Sequence, residues 1–202
     1  PNASKTALKN INLNIPANKT VGLVGATGSG KTTTVDIILG LLEAQKGTLE
    51  VDGNVIDINN KRAWQTSIGY VPQQIFLSDN TISANIAFGI DIDDIDQEAV
   101  ERAAKIANLH EFIINELPLK YQTTIGERGV RLSGGQCQRI GIARALYHKP
   151  KILVLDEATS ALDSLTEKAV MKALHNSEKN ITKILVAHRL STVRDCDIIY
   201  LF

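Results

Sequence analysis

The sequence predicts an α/β fold: a mainly parallel sheet with helices on both faces, a small antiparallel β element, and an inserted α-helical subdomain. Three observations carry that prediction. Residues 21–24, 152–155 and 184–187 are short, almost continuously apolar runs, as expected of strands buried on both faces. Helical spacing separates such runs, and parallel strands need crossovers of that kind. From about residue 81 to 147 no strand-like run of comparable strength occurs, which marks the insertion.

Taken in order, Ile11, Leu13 and Ile15 alternate with Asn12 and Asn14 ahead of Pro16, the pattern of a half-buried strand ended by a lost ladder donor. Residues 21–24 run into a glycine-rich turn, after which Val35, Ile38, Leu39 and Leu42 recur at helical spacing. Residues 48–51, 54–56 and 68–71 read as strands, the first two joined by Asp52-Gly53 as a hairpin turn. Ala99, Ala103 and Ala107 place a helix over about 96–109, and further helices are predicted from about 136 to 148 and from 163 to 175. Trp64 and Tyr70 read as core or subdomain packing. One domain, 1–202, is expected, its α/β core formed by 1–80 and 148–202 around a helical insertion at 81–147.

Lys plus Arg equals Asp plus Glu at 22 each, so no net positive field gathers nucleic acid or anionic lipid. Cys137 and Cys196 lie far apart without metal-ligand spacing, which favours a reducing compartment over a disulfide scaffold. No run approaches the roughly 20 apolar residues of a membrane helix. The chain begins at Pro1 and ends in the apolar Tyr200-Leu201-Phe202, so both ends are expected to continue into a larger protein.

Gly25-Ala26-Thr27-Gly28-Ser29-Gly30-Lys31-Thr32, followed by Thr33, stands between a strand and a helix and has the phosphate-loop pattern. It predicts a P-loop NTPase core. Glycines let backbone N–H groups converge on phosphate, Lys31 adds a point charge, and the Thr32 hydroxyl can ligate Mg²⁺. At the end of residues 152–155 stand Asp156 and Glu157, the first suited to Mg²⁺ and the second to polarising an attacking water as general base. Ser133, Gly134, Gly135 and Gln136 open the predicted helix at 136–148, so free N–H groups there can also face an anion.

With Leu132, those four residues spell LSGGQ, which resembles the signature of ABC ATPases. The resemblance extends in order through the phosphate loop, Gln73 in Tyr70-Val71-Pro72-Gln73, the run ending in Asp156-Glu157, Ser160-Ala161-Leu162-Asp163, and His188 in Ala187-His188-Arg189-Leu190-Ser191-Thr192. It implies that Gln73 touches Mg²⁺ and the attacking water, that Asp163 organises the facing subunit, and that His188 contacts the γ-phosphate. It further implies that the signature serves ATP held by a second nucleotide-binding domain, identical or paired, in a head-to-tail dimer.

Residues 81–88 and 124–130, TIGERGV, look like exporter segments, the latter meeting coupling helices of a membrane domain; Glu127, Arg128 and Gly129 can alternatively form a solvated turn. Function is then ATP hydrolysis powering export, with transmembrane domains fused upstream and the domain at the cytoplasmic face of a membrane. A soluble ABC-type ATPase of DNA repair or translation is the alternative, but it calls for a coiled-coil insertion, tandem domains or a basic face, none of which is present. A purely regulatory nucleotide-binding module would call for a damaged site, whereas Glu157 and His188 are intact. Cys137 stands where the family commonly has a basic residue; a thiol near a helix start can have a lowered pKa or simply pack. Residues 1–20 lack the aromatic on which the family commonly stacks adenine, and that residue is expected upstream of Pro1.

Overall fold

The computed structural model describes residues 8–126, 130–177, 180–187 and 190–202. Five strands form one sheet: β1 (Thr20–Val24), β4 (Ile68–Val71), β5 (Ile152–Asp156), β6 (Thr182–Ala187) and β7 (Ile198–Leu201), in the order β4-β5-β6-β1-β7. Every pairing is parallel. β2 (Glu50–Val51) and β3 (Asn54–Val55) form the separate antiparallel hairpin, turned by Asp52 and Gly53 at φ 49° and 78°, the positive pair of a type I′ turn.

Side chains alternate between the sheet's two faces with the period of two that strands impose. Val21, Leu23, Val154, Ile184 and Val186 join one core cluster with Val35, Ile38 and Leu39 of α1 (Lys31–Ile38) and its C-cap, and with Trp64 of α2 (Lys61–Thr66) packed against them. Val24, Leu153, Leu155, Leu185 and Ala187 face the other cluster. That face is covered by α6 (Gly134–Tyr147), by α7 (Ser164–Ser177) through Val170 and Leu174, and by α8 (Leu190–Val193) through Val193. The sheet is therefore covered on both faces, as expected.

The insertion is helical: α3 (Ile82–Ile86), α4 (Gln97–Ile106) and α5 (His110–Glu116) pack with α6 around Ile82, Ile86, Val100, Leu109 and Ile113. Asp96 caps α4 by accepting the Ala99 N–H at 3.0 Å, the local chemistry that starts a helix after a 3₁₀ turn. β4 reaches α6 through Gly69, where an added Cβ would stand 2.5 Å from the Ala145 carbonyl oxygen and 2.9 Å from Pro150 Cγ.

Three expectations need correction. No strand forms at Ile11, Leu13 and Ile15; this stretch packs Ile15 against the core and is tied to β7 by the Tyr200 hydroxyl, which accepts the Asn14 N–H and donates to the Asn14 carbonyl. Leu42 does not continue α1: Gly40 at φ 66° ends the helix and leaves Leu42 47% exposed, because a glycine in the left-handed region diverts the chain. The first hairpin strand is only Glu50–Val51, shorter than residues 48–51 suggested.

Candidate nucleotide site

Because the sheet is all parallel, the C-terminal ends of its strands lie along one edge, the usual location of ligands in such folds. Val24 is in register with Ala187, and Asp156 with Val186. The phosphate loop, Asp156-Glu157 and the C-terminal end of β6 are thereby brought together from three distant parts of the chain. His188 itself, and Glu127, Arg128 and Gly129, lie outside the described residues.

In the phosphate loop Lys31 is 5% exposed, and its ammonium donates to the Gly25 and Ala26 carbonyls at 2.8 and 2.9 Å. The lysine thus closes the loop on itself before any phosphate arrives. Gly30 is the N-cap of α1 at φ 102°, a conformation that favours glycine, and it offers no capping side chain to the first N–H groups of the helix. The Ser29 hydroxyl is buried without a hydrogen-bond partner, while Thr27, Gly28 and Thr32 are exposed. An uncapped helix start, a tethered ammonium and an unsatisfied hydroxyl fit a polyanion such as a nucleotide phosphate chain.

Asp156, 7% exposed, ends β5, and the Tyr70 hydroxyl donates to its carboxylate. Burial, helped by the Asp156 and Asp36 charges and by that hydrogen bond, pushes the Tyr70 phenol up to about 12, so it stays protonated and keeps donating. The expectation that Tyr70 is only packing is therefore incomplete. Trp64 does pack, with its indole N–H donating to the Ile38 carbonyl at 2.7 Å.

Glu157 stands at φ 50°, its N–H donating to the Val186 carbonyl at 3.0 Å. Gln73 Nε2 donates to Glu157 Oε2 at 2.9 Å, so two predicted site residues 84 positions apart meet directly. Beneath Glu157 lies a cavity of about 180 Å³ that Thr159, Glu167 and Thr192 also line. One carboxylate oxygen of Glu167 accepts from the Thr159 hydroxyl at 2.8 Å and from the Thr192 hydroxyl at 3.2 Å. No periodicity pointed to Glu167, which stands on α7 while its two hydroxyl partners lie in the turn after β5 and on α8.

Among the described residues no three His, Cys, Asp or Glu side chains form a metal cage. Mg²⁺ held through one or two protein oxygens and the substrate phosphates needs none, and Thr32 and Asp156 provide oxygens of that kind.

The signature turn is a capping box: the Ser133 hydroxyl accepts the Gln136 N–H at 3.2 Å while Gln136 Oε1 accepts the Ser133 N–H at 2.7 Å. Both Ser133 and Gly134 are exposed. The Ser133 oxygen accepts within the cap, which leaves its O–H free to donate outward. Burial pushes the Cys137 thiol above its ordinary range despite a counteracting backbone hydrogen bond, in keeping with a packed thiol rather than an activated one. Asp163 is pulled below the usual aspartate range by hydrogen bonds from Thr166 and Leu165.

Comparison with known proteins meets this geometry. The chain is 50% identical over 192 residues to ATP-binding cassette sub-family B member 5 of Homo sapiens, covering 95% of the chain and 15% of that protein. It is 46% identical over 198 residues to an ATP-dependent lipid A-core flippase of Saccharophagus degradans, covering 98% of the chain and 33% of the flippase. The chain thus spans a third or less of the length of these relatives. In structure it resembles a bacterial Atm1-family ABC exporter with ATP bound, with a TM-score of 0.86, 38% identity, and coverage of 93% of this chain and 32% of that one. The ABC transporter family pattern matches residues 8–160, and with the phosphate loop, the paired carboxylates and the capped LSGGQ turn in place, the chain belongs to the ABC transporter family.

Proposed function

We propose that this domain hydrolyses ATP to ADP and phosphate and drives an export step in a larger membrane protein. The observation that carries the reading is the Gln73–Glu157 hydrogen bond at the strand edge that also holds the phosphate loop and Asp156. The phosphate loop, with Gly25 to Gly30, Lys31, Thr32 and Thr33, binds and orients the phosphates. Thr32, Asp156 and Gln73 would hold Mg²⁺, which would supply positive charge to neutralise the phosphate oxygens. Glu157 accepts the proton of the attacking water; Gln73 holds its carboxylate in place and Tyr70 fixes Asp156. His188 orients the terminal phosphate. Ser133 through its hydroxyl, and Gly134 and Gly135 through their N–H groups, meet ATP on a second domain while Gln136 braces the turn through the capping box, giving a head-to-tail dimer with two composite sites.

Among the described residues no helix is long and apolar enough to cross a membrane. The membrane passage therefore belongs to transmembrane domains elsewhere in the transporter, and this domain works at the cytoplasmic face where ATP is available. The flippase and exporter relatives support that placement.

Glu157→Gln in the full transporter is expected to lower ATP turnover at least about 10²-fold while ATP still binds, since general-base catalysis contributes about 10²–10⁴-fold. Phosphate release at the wild-type rate refutes the role. Lys31→Ala is expected to weaken ATP binding by the separate protomer, and Ser133→Ala to weaken association and turnover. A mixture of the two restores one intact composite site of the two in each mixed dimer. Equal loss of protomer ATP affinity in both variants contradicts the head-to-tail arrangement.

A further inference from the structure

The chain between Gln138 and Ser160 runs down α6 and back up β5. α6 has 14 residues, about 21 Å at 1.5 Å per residue, so its N-terminal turn lies a helix length from the covalent connection to β5. Something else must set where the signature turn stands relative to the turn at 160–163.

Gln138 occupies that gap. It is 5% exposed, its Nε2 donates to Ser160 Oγ at 3.1 Å, and its Oε1 accepts the Ala161 N–H at 2.9 Å. A primary amide supplies a donor and an acceptor at one tip, and both are used on adjacent residues. Two further close approaches lie alongside: a Cβ on Gly134 would be 3.5 Å from Ala161 Cβ, and one on Gly135 would be 3.3 Å from the Ala161 carbonyl oxygen and 3.4 Å from Leu162 Cδ2. The first turn of α6 and the 160–163 turn are thus packed face to face, with the amide bridging them.

We propose that Gln138 is a positioning residue that makes these two turns one body, so that Ser133 and Asp163, both exposed, are presented to the second domain in fixed relation. This rests on the head-to-tail reading above. Ser133 stands five positions before the bridge and Asp163 two positions after Ala161, which is why one side chain governs both. Gln138 touches no phosphate; it acts through the residues it holds. Its loss leaves the phosphate loop of the same chain unaltered and frees the signature turn from the 160–163 turn.

The test uses the full transporter with Gln138→Leu, Gln138→Glu, Ser160→Ala, and the Gln138→Leu/Ser160→Ala double variant. Turnover is followed against ATP concentration, and ATP affinity is measured on separated protomers with a fluorescent ATP analogue. Gln138→Leu is expected to lower kcat about tenfold, the scale of a lost two-bond coupling, with protomer affinity unchanged. Gln138→Glu retains most of kcat, because carboxylate oxygens accept from both the Ala161 N–H and the Ser160 O–H. The double variant is no worse than Gln138→Leu alone, since both remove one bridge. Wild-type kcat in Gln138→Leu, equal impairment of the Glu and Leu variants, or additive losses in the double variant each overturns the proposal. If Gln138→Leu does not fold, Ser160→Ala decides: a severalfold lower kcat at unchanged affinity supports the bridge, and wild-type kcat overturns it. Failure of the head-to-tail reading shows separately, in equal loss of protomer affinity by Lys31→Ala and Ser133→Ala.

Discussion

Glu157 is a bulky, charged residue at φ 50°, where an L side chain costs roughly 1–2 kcal/mol. The strain is held by the Glu157 N–H to Val186 and by the Ser160 N–H to the Glu157 carbonyl, both 3.0 Å. Since glycine has no such penalty, Glu157→Gly is expected to be more stable than Glu157→Ala by about 1 kcal/mol, measured by chemical denaturation. Ser133 likewise has two duties. Ser133→Ala should cost α6 about 0.5–2 kcal/mol as a lost cap, whereas Ser133→Asp keeps a good cap and sets a negative charge where a phosphate is proposed to arrive. Unfolding midpoints near wild type with ATP-dependent association abolished are expected for Ser133→Asp, and retained association counts against a phosphate contact there. These residues were legible because they lie in contiguous motifs. The Tyr70–Asp156 bond was not: its partners stand on neighbouring strands, β4 and β5, whose pairing no local pattern specifies.

At the scale of elements, four-residue apolar runs with no polar face were enough to place β1, β5 and β6, since only strands buried on both sides are written that way. The stretch at Ile11, Leu13 and Ile15 shows the limit of the same reasoning: alternation allows a strand, but a ladder also needs a neighbour with free backbone groups. Gly40, at φ 66°, is a stop signal that outweighs the apolar spacing of Leu42. Gly69 marks a close crossing between β4 and α6. Because a Cβ there would stand 2.5 Å from the Ala145 carbonyl oxygen, which belongs to the helix backbone and cannot swing aside, Gly69→Ala is expected to destabilise the domain by about 1–3 kcal/mol. A thermal midpoint equal to wild type would show that α6 can shift without cost.

Across the whole molecule, Cys196 lies behind β1, with its sulfur 3.2 Å from where a Cβ on Gly22 would stand. Burial, with the Asp195 and Asp197 charges, pushes its thiol from 9.0 to about 11. The folded chain therefore keeps a proton that the unfolded chain has lost, so this contribution is whole below about pH 9 and falls away between about 9 and 11. Asp197 works in the opposite direction: the Thr20 N–H, then Lys19, hold its carboxyl below the ordinary 3.8. Its contribution is present above that value and is lost as pH falls through it into the acid range. Denaturation midpoints should thus decline on both flanks, and Cys196→Ala should flatten the alkaline one. An unchanged alkaline slope in that variant would assign the loss to other groups.

The strand order has a temporal consequence. β1 carries the phosphate loop, yet both its neighbours, β6 and β7, begin at residues 182 and 198. A ribosome that has reached residue 180 has produced the loop, the carboxylates and the signature turn without either strand that flanks β1. The insertion, by contrast, is built from helices close in sequence and closes early, since local contacts form before distant ones. Nascent chains arrested before residue 182 should then show a protease-resistant helical segment around 81–147 with β1 still open to cleavage and to mispairing. The nucleotide site would then mature after the helical insertion, so a stop codon between residues 182 and 198 would cost it as much as one within the phosphate loop.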